Sequence, residues 1–160
     1  MKALKERGLV VVVAAAVVGT LAATSGLGAQ SSAEPKKHRG CSDATIAGSY
    51  GIQISGTRPA PGGATESVVG VAVRQYDGAG QFTQVDNVKG SITGTVPDRQ
   101  GSGTYTVNED CSGVAQLQPG PGILLEERLA IVDDGNEIRS MTALPALVMV
   151  TGVHKRVDPR

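Results

Sequence analysis

Between Gly101 and Gly113 the chain reads Gly-Ser-Gly-Thr-Tyr-Thr-Val-Asn-Glu-Asp-Cys-Ser-Gly, and no other stretch limits the fold as much. Gly103, Tyr105 and Val107 fall on one parity and Thr104 and Thr106 on the other, the two-residue period of a half-buried strand rich in β-formers. Asn108-Glu109-Asp110 interrupts that period with side chains that hydrogen-bond their own backbone in turns. The alternation then resumes, with Val114, Gln116 and Gln118 set against Ala115 and Leu117. The stretch is a β-hairpin with Cys111 at its bend.

The rest of the chain repeats the pattern. Tyr50, Ile52 and Ile54 alternate with Gly51, Gln53 and Ser55 and stop at Gly56, before a loop over 58–65 that holds Pro59, Pro61, Gly62 and Gly63. A strand over 66–76 sets Val69, Val71 and Val73 against Gly70, Ala72 and Arg74. Asp77-Gly78-Ala79-Gly80 is a hairpin signal, since glycine supplies the positive φ such turns need. Strands follow over 81–88 and 91–96, the latter closed by Pro97-Asp98, and after the central hairpin over 124–132, 137–143 and 146–154. Residues 147–150 are apolar throughout, which fits a strand covered on both sides or lying at a barrel seam. Ahead of the first strand, Ser42 or Asp43 can cap a single helical turn.

About eight short strands separated by turn signals, with no continuous helical stripe, predict an antiparallel β-barrel or, as the alternative, a β-sandwich. The barrel is preferred because closure leaves no unpaired edge on a chain with few guarding charges.

The first 33 residues read as an export signal rather than as part of the fold. Lys2, Lys5 and Arg7 precede an apolar run over 9–23, and a small, polar segment follows. The run is short of the roughly 20 apolar residues that span a bilayer. Cleavage fits after Ala29 or Ala33, and the smaller flanking residues favour Ala33. A retained N-terminal anchor is the competing reading. Residues 34–40 then form a flexible connector, 41–156 the single domain, and 157–160 a tail. Taking Lys2, Lys5, Arg7 and Glu6 from 15 basic and 15 acidic residues leaves 12 and 14, a net charge of about −2. The one basic cluster, Lys36-Lys37-His38-Arg39, lies in the connector, so there is no electrostatic footprint for nucleic acid. In an exported chain the two cysteines, Cys41 and Cys111, predict a disulfide.

Catalytic motifs are absent. His38 and His154 have no second ligand at metal spacing, so no metal is expected. Asp133-Asp134-Gly135-Asn136 is a hairpin turn rather than a calcium loop. No nucleophile elbow or phosphate cradle occurs, and no cofactor is expected. Glu126-Glu127-Arg128 either closes a solvated strand or places a carboxylate at a barrel mouth. Tyr50, Tyr76 and Phe82 are the candidate ligand-binding residues, although in a chain with no Trp, one Phe and three Tyr they read first as its main packing anchors.

Cys41-Ser42-Asp43-Ala44-Thr45, Gly48-Ser49-Tyr50-Gly51, Tyr76-Asp77-Gly78-Ala79-Gly80, the hairpin from Gly103 through Cys111-Ser112-Gly113, Ile131-Val132-Asp133-Asp134-Gly135-Asn136-Glu137-Ile138-Arg139 and Val150-Thr151-Gly152 together resemble a group of exported bacterial proteins with no assigned activity. The Gly-Thr-Tyr-Thr-Val run is also distantly similar to the calycin-like barrels of allene oxide cyclases and dirigent proteins, which enclose an apolar cavity and steer a reactive substrate. No catalytic residue of those families matches here. The resulting expectation is a secreted or periplasmic barrel that binds a small apolar ligand. The alternatives are a cyclase- or isomerase-like enzyme acting on a confined substrate and a surface-interaction module with a filled core. A sizeable cavity separates the first two from the third.

Overall fold

In the computed structural model, which describes residues 40–157, eight antiparallel strands pair in sequence order and the eighth returns to the first, closing a barrel. The strands are β1 (Gly48–Pro59), β2 (Thr65–Tyr76), β3 (Gln81–Gly90), β4 (Gly94–Val107), β5 (Ser112–Gly120), β6 (Ile123–Val132), β7 (Glu137–Leu144) and β8 (Met149–Arg156). Closure is made by β1 and β8, in register from Tyr50 opposite Arg156 to Thr57 opposite Met149. The proposed signal segment, most of the connector and residues 158–160 lie outside the described residues.

Alternation sets the wall. In β3 every second side chain from Phe82 to Gly90 is buried and every other one exposed. In β2 the inward face carries Glu66, Val68, Ala72, Arg74 and Tyr76, whereas Val69, Val71 and Val73 face outward, each more than half exposed. The small inward positions Gly70 and Ala72 leave room inside the barrel, and the branched valines are placed where only the pleated surface has to hold them.

Three strand limits differ from the sequence reading. Gly56 does not end the first strand: it is where β8 comes close, a Cβ there lying 2.1 Å from the Met149 carbonyl oxygen, and β1 stays paired with β2 as far as Pro59 opposite Thr65, which shortens the loop to 60–64. Pro97-Asp98 does not end a strand: it lies within β4, at a bulge where the register with β3 shifts between Asp86 and Val88. Asp98 takes a positive φ of 49° there, and its N–H is recovered by the Asn87 side chain at 3.2 Å, so the strand bends and continues. The hairpin turn before it is 91–93. The apolar run over 147–150 is likewise not a doubly covered strand. Leu147 and Met149 are exposed, residues 145–148 form the turn into β8, and only Val148 and Val150 face the interior.

One end of the barrel is filled. Ser42 precedes a 3₁₀ turn, Asp43–Ile46, that lays Ile46, fully buried, across this end. Tyr76 sits at the centre of the chain's four aromatic rings, with Tyr105 at 4.9 Å and Tyr50 at 5.5 Å edge-on and Phe82 at 5.6 Å tilted. Edge-to-face pairs of this kind add about 1 kcal/mol each beyond the area they bury. Arg156 locks the arrangement: its guanidinium stacks on the Tyr50 ring and donates to Tyr50 Oη and to the carbonyls of Thr45, Ala47 and Gly135. The Cys41–Cys111 disulfide ties the start of the domain to the β4–β5 turn at this same end. Gly103 makes room for the cluster, since a Cβ there would lie 2.0 Å from the Gln116 carbonyl oxygen and 2.6 Å from Phe82 Cζ.

Candidate functional site

The other end is open. Between the filled end and the turns at 60–64, 91–93, 121–122 and 145–148 lies a cavity of about 180 Å³. Its aliphatic wall comes from every second residue of several strands, including Ile52 and Ile54 of β1, Val88 of β3, Leu117 of β5, Leu125 of β6 and Val150 of β8. The volume is below the roughly 300 Å³ at which a whole drug-sized molecule is enclosed. It exceeds the ~150 Å³ in which an apolar cavity holds benzene. A compact apolar group fits inside, with any remainder of a larger molecule at the mouth.

A polar chain is built into this apolar wall. Arg74, almost wholly buried on β2, donates through Nε to Gln84 Oε1 at 2.7 Å and through Nη1 to Tyr76 Oη at 3.1 Å. It meets Glu127 of β6 at 2.7 and 3.3 Å, and its guanidinium carbon lies 4.3 Å from the centre of the Phe82 ring. Burial works against the Arg74 charge, but the Glu127 carboxylate and Tyr76 outweigh it and the guanidinium pKa is raised. Burial also raises the Tyr76 phenol above its usual range. Gln84 passes the chain on to Asp86 at 2.8 Å, which accepts Arg99 Nε and Nη2 at 2.9 and 3.1 Å.

The chain has a second branch. Tyr76 Oη lies 3.5 Å from His154 Nδ1, and His154 Nε2 lies 3.0 Å from Ser140 Oγ. Burial, and next the positive charge of Arg74, hold the His154 pKa well below the ordinary 6.5, so the imidazole is neutral. At the mouth Arg58 donates through Nε to Glu66 at 2.7 Å. Glu66 also accepts the backbone N–H groups of Ile92 and Thr93 and the Thr93 hydroxyl. The Thr93 N–H and Arg58, followed by the remaining donors, lower its pKa from 4.5 to about 2. Each of the three arginines that line the cavity, Arg58, Arg74 and Arg99, therefore carries its own carboxylate.

The three aromatic residues singled out in the sequence are brought together, in the packed layer at the filled end. None of Tyr50, Tyr76 and Phe82 is among the cavity-lining residues; Tyr76 and Phe82 reach the site through Arg74, which they support from below. Glu127 is not a solvated strand end, since it points inward and is about nine-tenths buried. Arg74, Ser140, Thr142 and His154 carry no local motif in the sequence. Their only signal is parity with inward-facing neighbours such as Ala72 and Ile138. Among the described residues no group of three or more His, Cys, Asp or Glu is placed to hold a metal ion. No helix among them is long and apolar enough to cross a membrane.

No protein-family model matches the chain, and no curated protein matches it. Among solved structures, it is similar to the S-type phycobiliprotein lyase CPES from Guillardia theta, at 10% identity, over 74% of this chain and 92% of the lyase, with a TM-score of 0.41. Similarity at this level carries no information about what the cavity holds.

Proposed function

We propose that the protein is an exported barrel that takes up a small, mainly apolar ligand through its open end. The observation that carries this reading is the aliphatic-walled cavity of about 180 Å³ in a barrel whose opposite end is filled, capped and cross-linked. Apolar surface buried on both partners supplies the driving force, at about 25 cal/mol per Å². Export is supported by the charged, then apolar, then small-residue layout of residues 1–33 and by a disulfide that persists in oxidising compartments.

Native mass spectrometry of the protein recovered after export tests the reading, together with titration of a polarity-sensitive fluorophore. Co-purifying small molecules, and fluorophore binding that Ile54→Trp abolishes by filling the cavity, are the expected results. The chain has no Trp of its own, so the new indole also reports its surroundings. A folded protein with neither bound mass nor fluorophore binding overturns the proposal.

A second reading, a catalyst acting on a confined substrate, draws on the buried Arg74, Tyr76, His154 and Ser140 chain, whose groups can hold or move a proton at the cavity wall. Chemical change of the bound molecule on incubation, absent in His154→Gln, distinguishes it from simple binding.

A further inference from the structure

Two hydroxyls on β7 face the cavity with unused hydrogen-bonding capacity. Ser140 and Thr142 are consecutive inward residues, about 7 Å apart along the strand, and both line the cavity. Thr142 has no hydrogen-bond partner for its hydroxyl among the described residues, although it is only 8% exposed. Ser140 has one partner, His154 Nε2.

The direction of the Ser140 bond follows from the groups behind it. Tyr76 Oη accepts from Arg74 Nη1, and with its own proton turned along the long 3.5 Å contact to His154, Nδ1 is the acceptor. A neutral imidazole that accepts at Nδ1 carries its proton on Nε2. That N–H then donates to Ser140 Oγ, and the serine proton is left without a protein acceptor. Gly152 keeps the pair in place: a Cβ there would lie 2.6 Å from Ser140 Oγ and 3.0 Å from His154 Nε2.

Charge narrows the ligand further. With Arg58, Arg74 and Arg99 each neutralised by Glu66, Glu127 and Asp86, and His154 neutral, the lining holds no uncompensated charge to receive a carboxylate or an ammonium group. Burying an unpaired ion in such a wall is strongly unfavourable.

Resting on the ligand-binding reading above, we infer that the ligand is an uncharged, mainly apolar molecule bearing a carbonyl oxygen, which accepts the Ser140 hydroxyl proton inside the cavity, with Thr142 as a neighbouring donor. His154, Tyr76 and Arg74 are positioning residues that fix the direction of the serine hydroxyl.

Calorimetric titration of the full barrel with heptane, 2-heptanone, heptanoate and hexylamine at pH 7 tests this. The ketone-to-alkane affinity ratio, which absorbs the cost of stripping water from the carbonyl, is expected to be about five- to tenfold higher in the wild type than in Ser140→Ala, the worth of one neutral hydrogen bond. Thr142→Val is expected to lower the same ratio by less. The infrared carbonyl stretch of the bound ketone should sit at lower frequency in the wild type than in Ser140→Ala, a shift that a purely structural serine does not produce. An unchanged ketone-to-alkane ratio in Ser140→Ala overturns the donor site and leaves the cavity reading intact. Tighter binding of heptanoate or hexylamine overturns the uncharged ligand. No binding of any probe by the folded protein overturns the cavity reading itself, and the inference with it.

Discussion

Glu127 of β6 and Arg74 of β2, on opposite walls of the barrel, meet through its interior at 2.7 Å. The pair acts as a strut across the space between the packed end and the cavity, and both groups are largely withdrawn from water. Removing one member leaves the other charge buried and alone, which costs about 3–5 kcal/mol, whereas replacing both by apolar groups of similar volume is close to neutral. Glu127→Gln and Arg74→Met are each expected to lower the urea midpoint at pH 7 sharply. The double variant Arg74→Met, Glu127→Leu should recover most of the loss, and simple additivity of the two single losses would refute the strut.

Acid should act on the barrel in two windows. His154 has a folded-state pKa well below 6.5, from burial first and Arg74 second, so below pH 6.5 the unfolded chain binds a proton that the folded one rejects. Stability therefore declines as pH falls from about 6.5. Glu66 has its pKa lowered from 4.5 to about 2, so its contribution is intact above 4.5 and is lost as pH falls towards 2. Melting temperature measured from pH 7.5 to 5 should fall in the wild type and run flatter in His154→Gln. Parallel curves would show that the imidazole is not the source.

The Cys41–Cys111 link joins residues 70 apart in sequence. By the chain-entropy account, closing a loop of that length is worth about 4 kcal/mol. Cys111→Ser and Cys41→Ser should each lower the melting temperature by more than about 10 °C. An unchanged calorimetric melt in either would show that the filled end holds without the bond.

Glycines in the same fold should respond in opposite ways. At Gly103 a methyl group meets the Gln116 carbonyl and the Phe82 ring, and the carbonyl belongs to the paired strand and cannot yield. Gly103→Ala is expected to cost about 3 kcal/mol or more. At Gly120 nothing lies within 4 Å of an added Cβ. Gly120→Ala should stay within about 0.5 kcal/mol of wild type in denaturant titration.

Most of the barrel's strands and turns were legible in the sequence because both are local: a two-residue period shows a strand, and Asp77-Gly78-Ala79-Gly80 shows where one stops. The disulfide was legible from the cysteine count together with the reading of residues 1–33 as an export signal. What the period does not show is which of its two faces points inward. On β2 the valines mark the hydrophobic face by composition, yet it is Gly70, Ala72 and Arg74 that turn inward, where the two small residues leave the cavity room and Arg74 finds its partner. That partner, Glu127, is 53 residues away, and no local pattern announces it. For the same reason Ser140 and His154 read as ordinary strand residues until the pairing of β7 with β8 sets them side by side. Pro97-Asp98 misled in the other direction, since a bulge and a strand end have the same local signature.

The disulfide, the Arg156 clamp and the 3₁₀ turn under Ile46 are gathered at one end, and the cavity opens at the other. Of the four connections around the opening, 91–93 holds the wall through Glu66 and 145–148 supplies Val148 to the lining. Segments 60–64 and 121–122 are the replaceable parts. A descendant of this chain can change what it admits by rewriting those two short stretches, and its scaffold need not be solved again.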